Sequence, residues 1–404
     1  MDMKKKLEEA YIPDKQSQKE KVIIGLSGGI DSYVTAYLLK IQKYDLIAVT
    51  VINDWEDWKG DSSQILSCHI NPKKLDEIKE FCQKLSIPLQ VVKASGEFKN
   101  EIIDEWMASR LSGTLARPCW NCHELRMRVL HQKMKEANVK HLATGHFAKL
   151  FHQDATGKVF VHTSNDEEND QSALLSRLPQ EILKDLILPL SDLTQKEVLK
   201  LAENFGVVEV PKTLKMHQCL SWKEEMTPIF TSLIPERLRK EGEIMTADGS
   251  STIGNHFGVF HHTLGESFEY RNVGKTTKGY IGEYTSGNAL IKVEEESYFL
   301  RDKILLTNCE FSAETIWTEP QKGCLVVSPD KVYECWVHPK TLSSAYIELT
   351  KPEFLIEGDL LSVIKKKGKN SKVFLTGKVQ YLPRDPEVVE GEESVPKVDY
   401  SRDF

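Results

Sequence analysis

Residues 22–40 run from the apolar stretch Val22 to Leu26, through Ser27-Gly28-Gly29-Ile30-Asp31-Ser32, into a helical stretch from Tyr33 to Lys40. A strand-length run, a glycine turn and a helix start leave few architectures open, because this order belongs where a parallel sheet feeds a helix onto its face. The turn also implies a chemistry. Gly28 and Gly29 have no Cβ, so the backbone can approach an oxyanion closely. The hydroxyls of Ser27 and Ser32, the local amides and the positive end of the helix dipole all suit phosphate oxygens. Asp31 repels phosphate unless a divalent cation lies between them, so it is read as a Mg²⁺ contact. The longer Walker loop places a Lys before its Ser/Thr at the helix start, and this turn contains no Lys. The expectation is ATP split between its α and β phosphates with AMP left on a substrate. The bland alternative is a small-residue turn capped by Ser or Asp.

From Lys21 to about Gly206, strand-length runs alternate with helical patterns. Strands are expected at Val22–Leu26, Leu46–Ile52, Leu89–Lys93 and His141–Gly145, and helices at Tyr33–Lys43, Pro72–Leu85, Lys99–Leu111 and Leu125–Ala137. That alternation predicts an α/β fold with a doubly wound parallel sheet, the phosphate turn lying at the carboxyl end of its first strand, where such sheets bind ligands. A further helix runs from Thr194 to Phe205, with Thr194 as N-cap, Glu197 as its capping-box partner and Gly206 closing it. After Val210-Pro211 the pattern turns to short strands with glycine turns: Ile244–Ala247, Gly258–His262, Gly279–Tyr284 and Leu290–Val293. A second block, Leu325 to Tyr381, ends in strands Leu360–Lys365 and Lys372–Gln380 around a basic turn. This reads as a small linking β module followed by a C-terminal β barrel. The expected organisation is an extension over 1–20, a nucleotide-splitting domain over 21–210, the linking module over 211–280, the barrel over 281–383 and a disordered acidic tail over 384–404.

The formal net charge of -7 argues against nonspecific nucleic-acid binding by bulk charge. The acidic tail carries much of that excess, and the basic stretches around Arg117–Lys135, Arg237–Lys240 and Lys365–Lys369 leave a local basic groove open. No run approaches the ~20 apolar residues of a membrane span, and the N-terminus lacks the apolar core of a secretory signal. A cytoplasmic location with no membrane partner is therefore expected, and its cysteines should be thiols there, so a close pair points to metal or redox chemistry. Cys119 and Cys122 form a C-x-x-C element just before a basic amphipathic helix beginning near Glu124. Thiols at a helix N-terminus are partly thiolate at neutral pH. Cys219 is a third candidate and His123 and His217 are possible extra ligands, whereas Cys68, Cys82, Cys309, Cys324 and Cys335 read as small buried hydrophobes. An adenylated carbonyl oxygen departs as AMP, and a nucleophile can replace it. If that nucleophile is sulfur, the enzyme needs one cysteine to carry a persulfide, and a second can cleave the S–S bond. Amidating enzymes with the same turn have no evident use for paired cysteines.

Taken together, these residues resemble the tRNA-specific 2-thiouridylases of the MnmA family. Ser27 to Ser32 is similar to the family's SGGVDS, Asn53 to Asp57 to its Asn-Trp acidic segment, Ala143 to Ala148 to its ATGHYA, and Asp170-Gln171-Ser172 to its DQSYFL. Leu188 to Leu193, with the helix after it, resembles FPVGEL, and Asp248 to Gly265 resembles the family's DG…IG…TLG module. Cys122 falls where the family has its first catalytic cysteine and Cys219 where it has the second. The resemblance implies a PP-loop adenine nucleotide α-hydrolase domain. Its implied nucleotide contacts are Gly25, Leu26, Ser27, Gly28, Gly29, Asp31, Ser32, Val51, Gly145 and His146, with ATP and Mg²⁺ bound. It further implies exchange of the C2 oxygen of a tRNA wobble uridine for sulfur from a cysteine desulfurase or a persulfide relay protein. Cys219 would carry the persulfide and Cys122 would release its sulfur, ending in a Cys122–Cys219 disulfide. In some relatives Cys119, Cys122 and Cys219 would instead hold a 4Fe-4S cluster.

The chain also departs from the family pattern: His123 replaces an Asn, and Glu266-Ser267-Phe268-Glu269 stands where the family has a basic segment approaching tRNA phosphates. Alternative readings are a paralogue thiolating another RNA position through an iron-sulfur cluster, an ATP-pyrophosphatase amidating a small molecule, and a nucleotide- or metal-binding regulatory protein without catalysis.

Overall fold

A computed structural model of the chain describes residues 20–53, 70, 72–207, 231, 233–272, 274–285, 290–311, 319–328 and 330–382. The N-terminal extension, Asp54 to Asp57, Cys68, His217, Cys219 and the acidic tail lie outside the described residues. Strands β1 (Lys21–Gly25), β2 (Asp45–Ile52), β3 (Leu89–Lys93) and β4 (His141–Ala143) are joined by β7 (Leu186–Ile187) in a parallel sheet ordered β3-β2-β1-β4-β7. Val22, Ile23 and Ile24 are wholly buried, and the reason β1 is an unbroken apolar run is that helices cover both faces of its sheet. On one face lie α1 (Ile30–Ile41) and α2 (Pro72–Lys84), which bury Tyr33, Leu39, Ile78 and Cys82. On the other, Met127, Leu130 and Met134 pack against Ile23, Val49 and Val51.

Two helices there depart from the sequence pattern. The stretch expected as one helix over Lys99–Leu111 is a helical turn (Ser95–Phe98), a π turn (Lys99–Ile103) and α3 (Asp104–Ser112). The adjacent Ile102 and Ile103 are both buried with Phe98 and Trp106, and the wider turn accommodates that doubled apolar position. The helix expected from Leu125 begins instead at Pro118, as α4 (Pro118–Glu136). Proline suits the first turn because its missing N–H has no partner there, so Cys119 and Cys122 lie within α4 rather than before it.

After β4 come a hairpin, β5 (Lys149–Gln153) and β6 (Lys158–His162), then α5 (Gln180–Asp185) and α6 (Gln195–Asn204). The α6 capping box forms as its sequence predicts, with Thr194 N–H donating to Glu197 Oε2 at 2.8 Å. Gly206 follows at φ +68.

The middle sheet contains β8 (Gly242–Thr246), β9 (Thr252–His256), β10 (Ser267–Asn272), β11 (Lys275–Thr285) and β12 (Leu290–Glu294), ordered β10-β11-β12-β8-β9. It extends past residue 281, where the sequence pattern places the handover, because β11 and β12 pair with each other and with β8. The expected strand at Gly258–His262 is instead a 3₁₀ turn at Val259–His261. Gly258 sits at φ +143 with the Phe260 ring folded over it, and Phe260 is driven into the core beside α3. The last six strands are β13 (Leu300–Phe311), β14 (Gln321–Ser328), β15 (Lys331–Thr341), β16 (Ser344–Phe354), β17 (Leu360–Ile364) and β18 (Val373–Tyr381). They close a barrel around Ile304, Leu306, Leu325, Val337, Ile347 and Leu375. Burial pushes the barrel thiols of Cys309 and Cys335 up to about 12, which leaves them inert.

Both C-terminal parts dock on the parallel-sheet domain, with backbone groups among the contacts. Arg110 of α3 and the Tyr284 hydroxyl both donate to the His262 carbonyl, at 2.8 and 2.9 Å. Thr163, just after β6, binds the basic turn of the barrel: its N–H donates to Ser371 O at 2.8 Å and its hydroxyl to Gly368 O at 2.9 Å.

At the Arg110 junction, burial lowers His261 and His262 to about 4, with His256 and the Arg110 cation adding to the effect. Their unfolded values stay near 6.5, so the unfolded chain takes up more protons as pH falls. The stability these residues contribute is complete above about 6.5 and is lost as pH falls toward 4. We expect the urea unfolding midpoint to drop between pH 7 and 4.5, and His262→Asn to narrow that drop.

Candidate functional site

The chain leaves β1 still tied to β2. Leu26 N–H donates to Val49 O at 2.9 Å, and the Thr50 hydroxyl donates to Leu26 O at 3.0 Å. It then turns at Gly28, whose φ of +73 favours glycine, and enters α1 from Gly29 with no side chain capping the helix. The Ser32 hydroxyl donates to Gly29 O at 2.8 Å and lies 3.5 Å from that of Ser27. Ser27 is exposed, while Asp31 and Ser32 are buried. An uncapped helix N-terminus with two hydroxyls at its mouth is suited to an anion.

Gly145, at the exit of β4, touches this turn through backbone. A Cβ there would stand 2.8 Å from the Asp31 carbonyl carbon and 3.0 Å from the Ser32 nitrogen, and neither atom can swing aside. The next residue, His146, has Nδ1 2.8 Å from the Thr144 hydroxyl and Nε2 3.1 Å from Nε2 of His123 on α4. One ring of the pair donates and the other accepts. Burial lowers His146 to about 4. Burial first, then His146, Arg126 and Arg177, hold His123 well below its ordinary value, so both rings are neutral at neutral pH. On the opposite side, Asn53 at the end of β2 donates through Nδ2 to Cys122 Sγ at 3.4 Å. The first turns of α4 are thus held at the ends of β2 and β4, the strands flanking β1 and its turn.

The structure brings together Ser27, Gly28, Gly29, Asp31, Ser32, Gly145 and His146 at the carboxyl edge, with Cys122 buried and Cys119 partly exposed on adjoining α4. Gly25 lets α4 come close, since a Cβ there would stand 2.8 Å from Leu130 Cδ1. Leu26 and Val51 bury their side chains in the cores on opposite faces of the sheet, leaving backbone at the edge. The sulfur of Cys122 accepts from Asn53 Nδ2, and Cys219 lies outside the described residues. The partnerships of Asn53, Thr144 and His123 were not foreseen from sequence. The available signal was the place of Asn53 and Thr144 at carboxyl ends of parallel strands, where sites gather.

As possible metal donors, Asp31 offers hard carboxylate oxygen beside the phosphate turn, and Cys119 and Cys122 offer two soft thiols one turn apart. Among the described residues no three His, Cys, Asp or Glu side chains converge on one point. Glu266, where the sequence pattern places acid against RNA phosphates, has a local role: its Oε2 accepts from Thr263 N–H at 3.0 Å.

A phosphate turn ending a parallel strand, with thiols on the facing helix, defines a PP-loop adenine nucleotide α-hydrolase. A family model described as the tRNA methyl transferase HUP domain matches residues 20–220. The tRNA-specific 2-thiouridylase MnmA of Clostridium perfringens is 31% identical over 249 residues, covering 61% of this chain and 68% of that protein. MnmA 2 of Fusobacterium nucleatum is 29% identical over 299 residues, covering 73% of this chain and 81% of that protein. The chain belongs to this MnmA family and is a sulfurtransferase. Among solved structures, the U34-tRNA thiolase NcsA from Methanococcus maripaludis with its 4Fe-4S cluster aligns at a TM-score of 0.34. It is 23% identical and covers 57% of this chain and 70% of that one.

Gly145→Ala forces the first turn of α1 to move. ATP affinity should fall at least about tenfold by calorimetry, whereas Gly96→Ala, at an open position, should leave it unchanged.

Proposed function

We propose that the protein thiolates tRNA, adenylating the C2 carbonyl of a uridine at the wobble position and replacing that oxygen with sulfur. The observation that carries this reading is the seating of the α4 thiols, through Asn53 and His146, against the two strands that flank the phosphate turn. Activated carbon and sulfur then meet on one sheet edge.

In this reading the amides of the turn, with Ser27 and Ser32, hold the pyrophosphate portion of ATP while the uridine oxygen attacks the α phosphorus and pyrophosphate leaves. Asp31 would hold Mg²⁺, whose charge offsets that of the phosphates. Gly25, Leu26, Val51 and Gly145 line the edge with backbone, and His146 stands beside it. Cys219, loaded by a cysteine desulfurase or a persulfide relay protein, attacks C2 through its outer sulfur and AMP departs. Cys122 then attacks the Cys219 sulfur, so the bond to the delivered sulfur breaks and a Cys122–Cys219 disulfide remains for an external thiol to reduce. Neutral His123 and His146 add no positive charge beside Cys122. The second reading, a cluster held by Cys119, Cys122 and Cys219, is favoured by one observation: Cys119 lies one helical turn from Cys122 and is partly exposed.

Asp31→Ala is expected to lower RNA-dependent pyrophosphate release at least about a hundredfold. Cys219→Ala should retain that release and lose sulfur incorporation. If Cys219→Ala keeps full turnover without a sulfur donor, the amidation alternative replaces this one. Mass spectrometry of tRNA nucleosides from a deletion strain should show 2-thiouridine missing. Intact 2-thiouridine with another thiolated base absent would reject the wobble assignment, and a brown, iron-containing protein from anaerobic purification would favour the cluster.

A further inference from the structure

Arg117 is the N-cap of α4, two residues ahead of Cys119, yet its side chain reaches out of the nucleotide domain to the barrel. Its Nε and Nη2 donate to the two carboxylate oxygens of Asp359, each at 2.5 Å. Asp359 is itself immobilised at the entry to β17. It is 6% exposed, its Oδ1 also accepts from Leu360 N–H at 2.8 Å, and its backbone carbonyl accepts from Val379 N–H at 2.7 Å. A bidentate guanidinium–carboxylate fork fixes direction as well as distance, which a Lys or a single hydrogen bond does not.

The chain leading into α4 is held by the same neighbours. Gly113, at φ +67, lies against the Tyr284 carbonyl of the middle sheet, so closely that a Cβ could not fit. Two residues on, the backbone of Leu115 lies in van der Waals reach of any Cβ at Gly358, which immediately precedes Asp359. No side chain caps the α4 N-terminus. Its first turns are therefore gripped from inside the nucleotide domain by Asn53 and His146, and from outside by Asp359.

We infer that the Arg117–Asp359 pair is a positioning device for sulfur transfer: the barrel, through Asp359, sets the orientation of the helical turn that presents Cys119 and Cys122. The hydrogen bonds of this pair run between the start of α4 and the entry to β17, not to the phosphate turn, so adenylation and sulfur delivery should respond to it differently. The inference rests on the thiolation reading above for its choice of assay.

The test uses the full-length protein carrying Arg117→Met, Asp359→Asn, or the exchanged pair Arg117→Asp with Asp359→Arg. RNA-dependent pyrophosphate release, single-turnover sulfur incorporation, iodoacetamide alkylation of Cys119 and Cys122, and the thermal midpoint are measured on each. Each single variant should release pyrophosphate within about twofold of the parent while sulfur incorporation falls about ten- to hundredfold. The alkylation rates of the two cysteines should shift, and the exchanged pair should recover most of the sulfur incorporation. Arg117→Lys, which keeps the charge and loses the fork, should remain impaired and serves if Arg117→Met fails to fold. Unchanged sulfur incorporation and alkylation in the single variants, or pyrophosphate release and sulfur incorporation falling in parallel, would overturn the inference. If the parent releases no pyrophosphate with RNA, the thiolation reading fails, and alkylation of the variants still decides whether the pair sets the cysteines.

Discussion

Where β4 leaves the sheet, the backbone of Gly145 approaches the first turn of α1 so closely that a β-carbon would meet the Asp31 carbonyl and the Ser32 nitrogen at 2.8 to 3.0 Å. Helix N-termini bind anions only when their amides are free, and here a glycine rather than a capping side chain backs the turn. This contact also fixes where His146 begins. From there the Thr144–His146–His123 chain reaches α4, so the phosphate turn and the cysteine helix share one support.

The polar groups of that support are withdrawn from water to different degrees, Thr144 buried and the two histidines partly so, and desolvation has opposite effects on bases and acids. An imidazole forced to stay neutral can serve as donor at one nitrogen and acceptor at the other, which two facing rings require. A thiol at similar depth is pushed toward its neutral form, as Cys309 and Cys335 are in the barrel, where burial outweighs the backbone N–H that reaches each sulfur. Cys122 differs in having the Asn53 amide against its sulfur and the start of a helix around it.

What could be read from the chain follows from how local each determinant is. The strand at Leu89–Lys93 and the Thr194–Glu197 capping box were visible because a short run of residues specifies them. The α4 start was read late: Cys119, Trp120 and Asn121 show no helical periodicity, and Pro118 marks a first turn only when a helix is already suspected. The turn at Gly258 looked like strand because a β-branched and an aromatic residue, Val259 and Phe260, follow a glycine there; the tertiary demand of Phe260 decided otherwise. At the site, the residue types and their order were readable. Their partnerships were not, since Asn53 and Cys122 lie 69 positions apart and nothing in either neighbourhood names the other.

The fork between Arg117 and Asp359 joins residues 242 positions apart. On a ribosome the nucleotide domain emerges whole long before Asp359 does, and at usual translation rates the interval is on the order of ten seconds or more. During that time the nascent chain has its phosphate turn but not the outer grip on its thiol helix. Premature termination upstream of β17 therefore yields a product in which the nucleotide fold precedes, and is separated from, the alignment of its sulfur chemistry. The barrel, made later, supplies the outer grip that the earlier-made domain lacks.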